Sequence, residues 1–239
     1  MNLPIPTPLI GYTGNKSQSG VYQFIINHIP RHKLRAELFL GSGAISSKIG
    51  IQHQEIITGC DLDSDVIHQW HKFDECKWMM CFSMGYQEMH EWLLNYYDHP
   101  EDTFIFADPP YLKSTRSTTV DLYKKEFTET DHIDFLTHSK FWTQNVMISH
   151  YPCELYDDML QGWIRKPFTS QSRGGPKTHC IYMNYDIRKM KLHTTKYLGE
   201  TFTKRQMLSR KAERWQRELN KMSLHERQYM VEVINQTIK

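Results

Sequence analysis

Residues Thr103-Phe104-Ile105-Phe106-Ala107-Asp108-Pro109-Pro110-Tyr111 decide how this chain folds. Five residues of mostly apolar character run into a carboxylate, two prolines and an aromatic ring. A run this short, rich in aromatic and β-branched side chains and halted by proline, reads as a buried strand that stops at Asp108. Similar runs recur on both sides of it: AELFL (36–40), EIITGCD (55–61), WMMCF (78–82), NVMISHY (145–151), GWIRKPF (162–168) and HCIYMNY (179–185). Between them, SQSGVYQFIINHI (17–29), YQEMHEWLLNYY (86–97) and TETDHIDFLTHSKFW (128–142) place apolar residues three and four apart, the helical period. Alternating strand and helix units predict an α/β domain with a largely parallel, doubly wound sheet. Ligands of such a sheet bind at the carboxyl ends of the strands.

The residues after the 103–107 run suit a particular chemistry. Two successive prolines fix φ and offer no amide donors, so the Asp108 carboxylate and the Pro109 carbonyl are held as acceptors before any ligand arrives. Together they match the two hydrogens of an exocyclic amine, and Tyr111 adds a flat face for a ring. A Pro-rich turn with no further role is the competing reading. Upstream, Gly41-Ser42-Gly43 follows the 36–40 run, where glycines let backbone amides approach a small ligand closely. This is a weak signal by itself. Some 20 residues further on, Asp61 ends the next strand, where an acidic residue commonly binds ribose hydroxyls. Asp63 and Asp65 read as capping or flanking the following helix.

Taken in order, Tyr12-Thr13-Gly14-Asn15-Lys16, Glu37-Leu38-Phe39-Leu40-Gly41-Ser42-Gly43, Asp61-Leu62-Asp63 and Asp108-Pro109-Pro110-Tyr111 carry a resemblance. The chain resembles the N6-adenine DNA methyltransferases of the DNA adenine methylase type, over roughly residues 8–186. Tyr123, Phe127, His132, Ser149 and the late strand ending Met183-Asn184-Tyr185 continue the likeness. It implies a Rossmann-like methyltransferase fold with a central, mostly parallel seven-stranded sheet. It also implies S-adenosylmethionine as cofactor and methyl transfer to adenine N6 in DNA, with the base swung out of the stack. Asp108, Pro109, Pro110 and Tyr111 would be the catalytic residues. Tyr12 and Lys16 would line the methionine end of the cofactor, Glu37, Phe39, Gly41 and Gly43 its binding turn, and Asp61 its ribose. Tyr86 would flank its adenine.

One departure bears on specificity. Family members with defined target sites usually carry a long recognition insert between the ribose motif and the catalytic motif, whereas only 46 residues separate Asp61 from Asp108 here. Other segments must then meet the nucleic acid: the loop from Lys113 to Lys125 with Arg116, the loop 170–177 with Arg173 and Lys177, and the basic tail with Arg210 and Arg214. DNA, duplex or single-stranded, is the expected partner. RNA is the alternative, because the amine chemistry is the same, and a non-catalytic nucleic-acid-binding subunit is a third reading.

Charge is divided unevenly. Residues 188–239 hold 13 Lys and Arg against 5 Asp and Glu, while the rest hold 16 against 22. The tail reads as a basic helical hairpin attracted to a polyanion, its second helix opened by the capping box Ser223-Leu224-His225-Glu226. It is similar to basic C-terminal helices of compact phage-type members, where a restriction-linked, regulatory or protective role would each fit. A catalytic domain over 1–190 and an extension over 200–239 are the expected domains.

No apolar run reaches the length of a membrane span, and no basic segment followed by an apolar core opens the chain, so a cytoplasmic monomer or weak homodimer is expected. Five cysteines without a CxxC pair fit reduced thiols. The thirteen histidines show no zinc-style spacing beside a carboxylate, so no metal is expected.

Overall fold

Strand β1 (Leu34–Leu38) is buried along its whole length, as a strand covered on both faces must be. It lies between β2 (Ile56–Asp61) and β4 (Thr103–Ala107), parallel to both. β3 (Met80–Ser83), β5 (Asn145–His150), β6 (Ile164–Ser172) and β7 (Gly175–Met183) complete a seven-stranded sheet of order β3-β2-β1-β4-β5-β7-β6. β7 alone runs against its neighbours β5 and β6. The sheet is therefore the mostly parallel, seven-stranded α/β sheet the sequence implied. This is a computed structural model, and it describes residues 9–51, 55–73, 78–118, 120–172 and 175–237. Arg173 and Cys76 lie outside those residues; Cys60, Cys81, Cys153 and Cys180 are free thiols.

Helices cover both faces. Leu34, Ala36 and Leu38 of β1 share a core with Met89 and Leu93 of α4 (Tyr86–Tyr96) and with Phe135 and Leu136 of α5 (Glu129–Ser139). On the opposite face Ile57 of β2 packs with Val66, Ile67 and Trp70 of α3 (Ser64–Lys72), while α1 (Val21–Ile26) packs against α2 (Ala44–Ile49). Each fully enclosed side chain of this size contributes about 1.5–3 kcal/mol. α5 begins with a reciprocal cap in which the Thr128 hydroxyl accepts the Asp131 amide and Asp131 accepts that of Thr128. α6 (Glu154–Met159) follows β5.

Two sequence expectations need correction. The helical pattern over 17–29 gives only the six residues of α1. Segment 170–177, expected as a loop, belongs largely to an antiparallel hairpin: β6 and β7 pair from Ile164↔Met183 out to Ser172↔Gly175. The polar run Thr169-Ser170-Gln171-Ser172 hides the strand, because an outer strand with few apolar residues carries no alternation to read.

Registers place the site. Leu38 pairs with Cys60 on one side and Ala107 on the other, so the chain leaves β1, β2 and β4 at one level, at Phe39, Asp61 and Asp108.

The chain divides into two compact units, Met1–Lys196 and Tyr197–Lys239. The second consists of α7 (Phe202–Lys221) and α8 (Leu224–Thr237). The Ser223 hydroxyl accepts the Glu226 amide at 3.3 Å and the Glu226 carboxylate accepts the Ser223 amide at 2.7 Å. No helix among the described residues is long and apolar enough to cross a membrane.

Candidate active site

A cleft of about 470 Å³ opens at the carboxyl ends of β1, β2 and β4, within the size range of small-molecule sites. Tyr12, Lys16, Glu37, Phe39, Gly41, Asp61, Asp108, Pro109, Pro110 and Tyr111 all line it.

The turn after β1 is tightly specified. Phe39 is held at φ 57°, the one positive φ on a non-glycine among the described residues. Edge-to-face contacts of its ring with Phe127 and Phe135, at 5.2 and 5.5 Å between centroids, over-determine that conformation. Gly41 and Gly43 also have positive φ, and a side chain on either has no room: a Cβ would lie 2.6 Å from the Tyr12 ring at Gly41 and 2.5 Å from Trp70 at Gly43. The glycine amides serve the protein itself rather than standing open to a ligand. Gly41 donates to Asp61 Oδ2 at 2.9 Å, and Gly43 to the Leu40 carbonyl at 2.7 Å. Asp61 also accepts the Asp63 amide at 2.9 Å, and burial raises its carboxyl above the ordinary range. Asp63 caps α3 and Asp65 pairs with Lys124. Glu37, 4% exposed, accepts the Ser46 amide at 3.1 Å; burial pushes its carboxyl up to about 7.

Around Asp108 the charge is concentrated. Lys16 Nζ donates to Asp108 Oδ2 at 2.5 Å and to the Gly14 carbonyl at 2.9 Å, and lies 4.8 Å from the centre of the Tyr111 ring. Burial raises the Asp108 carboxyl and Lys16 pulls it back towards the ionised form. Asp108 Oδ1 is enclosed without a hydrogen-bond partner among the described residues. The Tyr111 hydroxyl meets Ser149 Oγ at 3.0 Å and His179 Nδ1 at 3.3 Å, and its ring packs edge-on against Tyr151 at 4.5 Å. Beneath the loop, His150 Nε2 accepts the Leu112 amide at 2.9 Å while Nδ1 faces the Tyr151 carbonyl, and burial keeps this imidazole neutral with its pKa lowered to about 3.

Other expected site residues lie differently. Tyr86 is not among the residues lining the cleft: its hydroxyl donates to Asp134, and its ring packs behind Phe39 at 6.1 Å. Gly43 serves helix packing against Trp70. Arg116, expected to meet phosphate, is only 5% exposed and forms a two-pronged pair with Glu126 at 2.9 and 2.7 Å while donating to the Tyr111 carbonyl. Glu126, held down to about 2 by Arg116, also accepts the Leu122 and Tyr123 amides. This pair staples the loop after Tyr111 at the edge of the cleft and, with the Tyr111 carbonyl, occupies three of the guanidinium's five N–H donors. Lys113 pairs with Asp121. Lys177 lies on the cleft rim, 5.7 Å from the Tyr151 ring, donating to Ser117 at 3.2 Å. Arg210 and Arg214 are exposed on α7.

Sequence reasoning missed Tyr151 and His179, which also line the cleft. His179 reaches Tyr111 because β5 and β7 pair with His150 opposite Cys180, a register no local motif encodes. At the opposite end of the sheet, His32, Glu55 and His193 offer metal-ligand atoms within 4.8 Å of one another. The two imidazoles stack 3.9 Å apart at 6°, however, and one ion cannot lie in the plane of both rings.

No family model matches the chain, and no curated protein does. Solved structures give loose likenesses: a precorrin-6y C5,15-methyltransferase from Geobacter metallireducens GS-15 at 8% identity, covering 73% of this chain and 91% of that one, TM-score 0.47; and a METTL16 MTase domain at 7%, covering 70% and 67%, TM-score 0.45. A mutant of MtNAS matches at 8%, TM-score 0.42, over 66% of this chain and 56% of that chain's length. Likenesses this loose leave the case for function to the site itself.

Proposed function

We propose that this chain is an S-adenosylmethionine-dependent methyltransferase that acts on the N6 amine of adenine in DNA. The observation that carries the reading is Asp108: a carboxylate at the end of β4 whose side chain is 16% exposed, with one enclosed oxygen that makes no hydrogen bond of ordinary length among the described residues, in the same cleft as Asp61 and the Gly41 turn. A buried acceptor left unserved costs roughly 1–3 kcal/mol, and its retention is explained when a ligand supplies the missing donor.

The cleft fits the cofactor in its donor set. Asp61 presents a carboxylate for ribose hydroxyls, Phe39 and Leu40 give apolar walls, and Glu37 stands beside the turn. Bound there, S-adenosylmethionine would supply an electrophilic methyl group. The chain's own residues act on the amine. Adenine N6 is a weak nucleophile because its lone pair is delocalised into the ring. Asp108 accepting one N6 hydrogen, and the Pro109 carbonyl the other, draws the nitrogen towards tetrahedral geometry and stabilises the positive charge that develops on it. Tyr111, wedged by Tyr151 and tied to Ser149, offers an aromatic surface for the extruded base. The tail and Lys177 supply positive charge for the phosphate backbone.

Labelled methyl transfer to duplex DNA, single-stranded DNA and RNA, followed by nucleoside analysis, tests the reading. N6-methyladenine formed chiefly in DNA is expected. Product chiefly in RNA would replace the substrate, and no methylated adenine in any of the three would end the proposal.

A further inference from the structure

Three parts of the molecule outside the proposed chemistry bring reactive or apolar groups together, the His32–Glu55–His193 cluster, the His179–Ser170 pair and the apolar side chains of α7 and α8, and within the site there is the Lys16–Asp108 contact. The last carries furthest. Lys16 belongs to the N-terminal motif that by resemblance lines the methionine end of the cofactor. Its ammonium is committed elsewhere. An ammonium has three hydrogens. Here one goes to Asp108 Oδ2 and one to the Gly14 carbonyl, with the Tyr111 ring 4.8 Å away on a further side. Its side chain is 8% exposed and that of Asp108 16%, so neither charge is well hydrated and each answers the other. A cation neutralised in this way is a poor partner for a second carboxylate.

We propose that Lys16 is a positioning residue for Asp108, holding the carboxylate ionised and in one orientation for the amine, rather than a ligand of the cofactor. The inference rests on the proposed adenine chemistry only for its purpose; the coupling of Lys16 to Asp108 stands on geometry. Groups from several elements face this carboxylate. Glu37 at the end of β1 adds like charge when ionised, while Tyr12, Tyr111, Tyr123 and Tyr156 surround it as neutral phenols whose own ionisation Asp108 opposes. Lys16 is the cation that most strongly opposes the effect of burial on Asp108. Without it, only the Ser149 and Tyr111 hydroxyls still oppose the effect of burial, and Asp108 takes up a proton at higher pH.

The test titrates Asp108 directly. In full-length protein carrying isotope-labelled aspartate, the carboxyl carbon resonance of Asp108, assigned with Asp108→Asn, is followed against pH in wild type, Lys16→Met and Lys16→Arg. Loss of a partner charge moves such a midpoint by about one pH unit or more, upward in Lys16→Met, and Lys16→Arg returns most of it. Calorimetry with S-adenosylmethionine is expected to give Kd values within about threefold of one another, since the ammonium is already paired. With an adenine substrate, kcat of Lys16→Met falls about tenfold or more and the acidic limb of its pH profile moves to higher pH by the same interval.

An unmoved midpoint overturns the proposal, as does a Kd weakened more than about thirtyfold with kcat at saturating cofactor unchanged. If Lys16→Met does not fold, Lys16→Gln is read in its place. Should the protein methylate no adenine at all, the function above fails while the Asp108 midpoint still decides the role of Lys16.

Discussion

The two ends of the same sheet each bury an ion pair, and they are built for opposite purposes. At the amino end, Glu55 is enclosed by Arg35 at 3.0 Å, His32 at 2.9 Å and His193 at 3.7 Å, all with side chains no more than 3% exposed. Burial alone would raise the Glu55 carboxyl, but Arg35 and His32 outweigh it and hold it below the ordinary range. At the carboxyl end, Asp108 has one strong partner, an enclosed oxygen with none among the described residues, and a cleft beside it, and its carboxyl stays above the ordinary range. A carboxylate closed in by a guanidinium and two imidazoles is a strut. One given a single cation and an opening keeps acceptor capacity for a substrate.

The largest effect expected is at the open end. Asp108→Ala should lower methyl transfer by about a thousandfold or more, because the group that stabilises the developing charge is gone, while calorimetry finds cofactor affinity nearly intact. A collapse of cofactor binding would instead make Asp108 a strut like Glu55. At the closed end, Arg35→Met leaves Glu55 buried without its guanidinium and should cost about 3–5 kcal/mol in urea unfolding. A loss below about 1 kcal/mol would show that water reaches the cluster.

Asp61→Ala separates binding from chemistry within the cleft. Losing acceptors for ribose hydroxyls should weaken cofactor binding by about ten- to a hundredfold, with kcat at saturating cofactor changed far less.

Acid should loosen the closed end first. Burial lowers His193 to about 3, well below an unfolded imidazole at about 6.5, so the unfolded chain binds the proton first and stability falls as pH drops below about 6.5. The depressed Glu55 acts in the same direction, its contribution present above the unfolded carboxylate pKa and lost as pH falls through the folded value. Thermal unfolding between pH 7 and 4 should show this, with a flatter curve in His193→Gln. The smallest effect concerns the tail. Deleting residues 203–239 should weaken DNA binding and reduce its salt dependence while leaving cofactor affinity unchanged; DNA affinity unaltered at several salt concentrations would assign the hairpin another role.

Local chemistry makes part of this legible in the residues alone. The Asp-Pro-Pro-Tyr exit, the glycines at 41 and 43 and Asp61 are readable because each depends on neighbours within a few residues: proline fixes its own φ, glycine permits its own turn, and an acidic residue closes its own strand. Arg116 shows the complementary limit. A basic residue in a polar loop resembles a phosphate ligand until Glu126, ten residues on, folds back to hold both its prongs. Tyr86 misleads because a residue opening a helix after a strand lines a cleft or backs it according to how the helix packs; here Phe39 stands in front.

By itself, then, the order of residues determined the α/β alternation and the acceptors placed where the 103–107 strand stops, since these follow from backbone restriction and hydrophobic period. Only the tertiary structure decided which charges meet. Lys16 with Asp108 spans 92 residues and His179 with Tyr111 spans 68. Pairings at that distance are set by strand register and packing, which the whole chain fixes cooperatively and no local segment encodes.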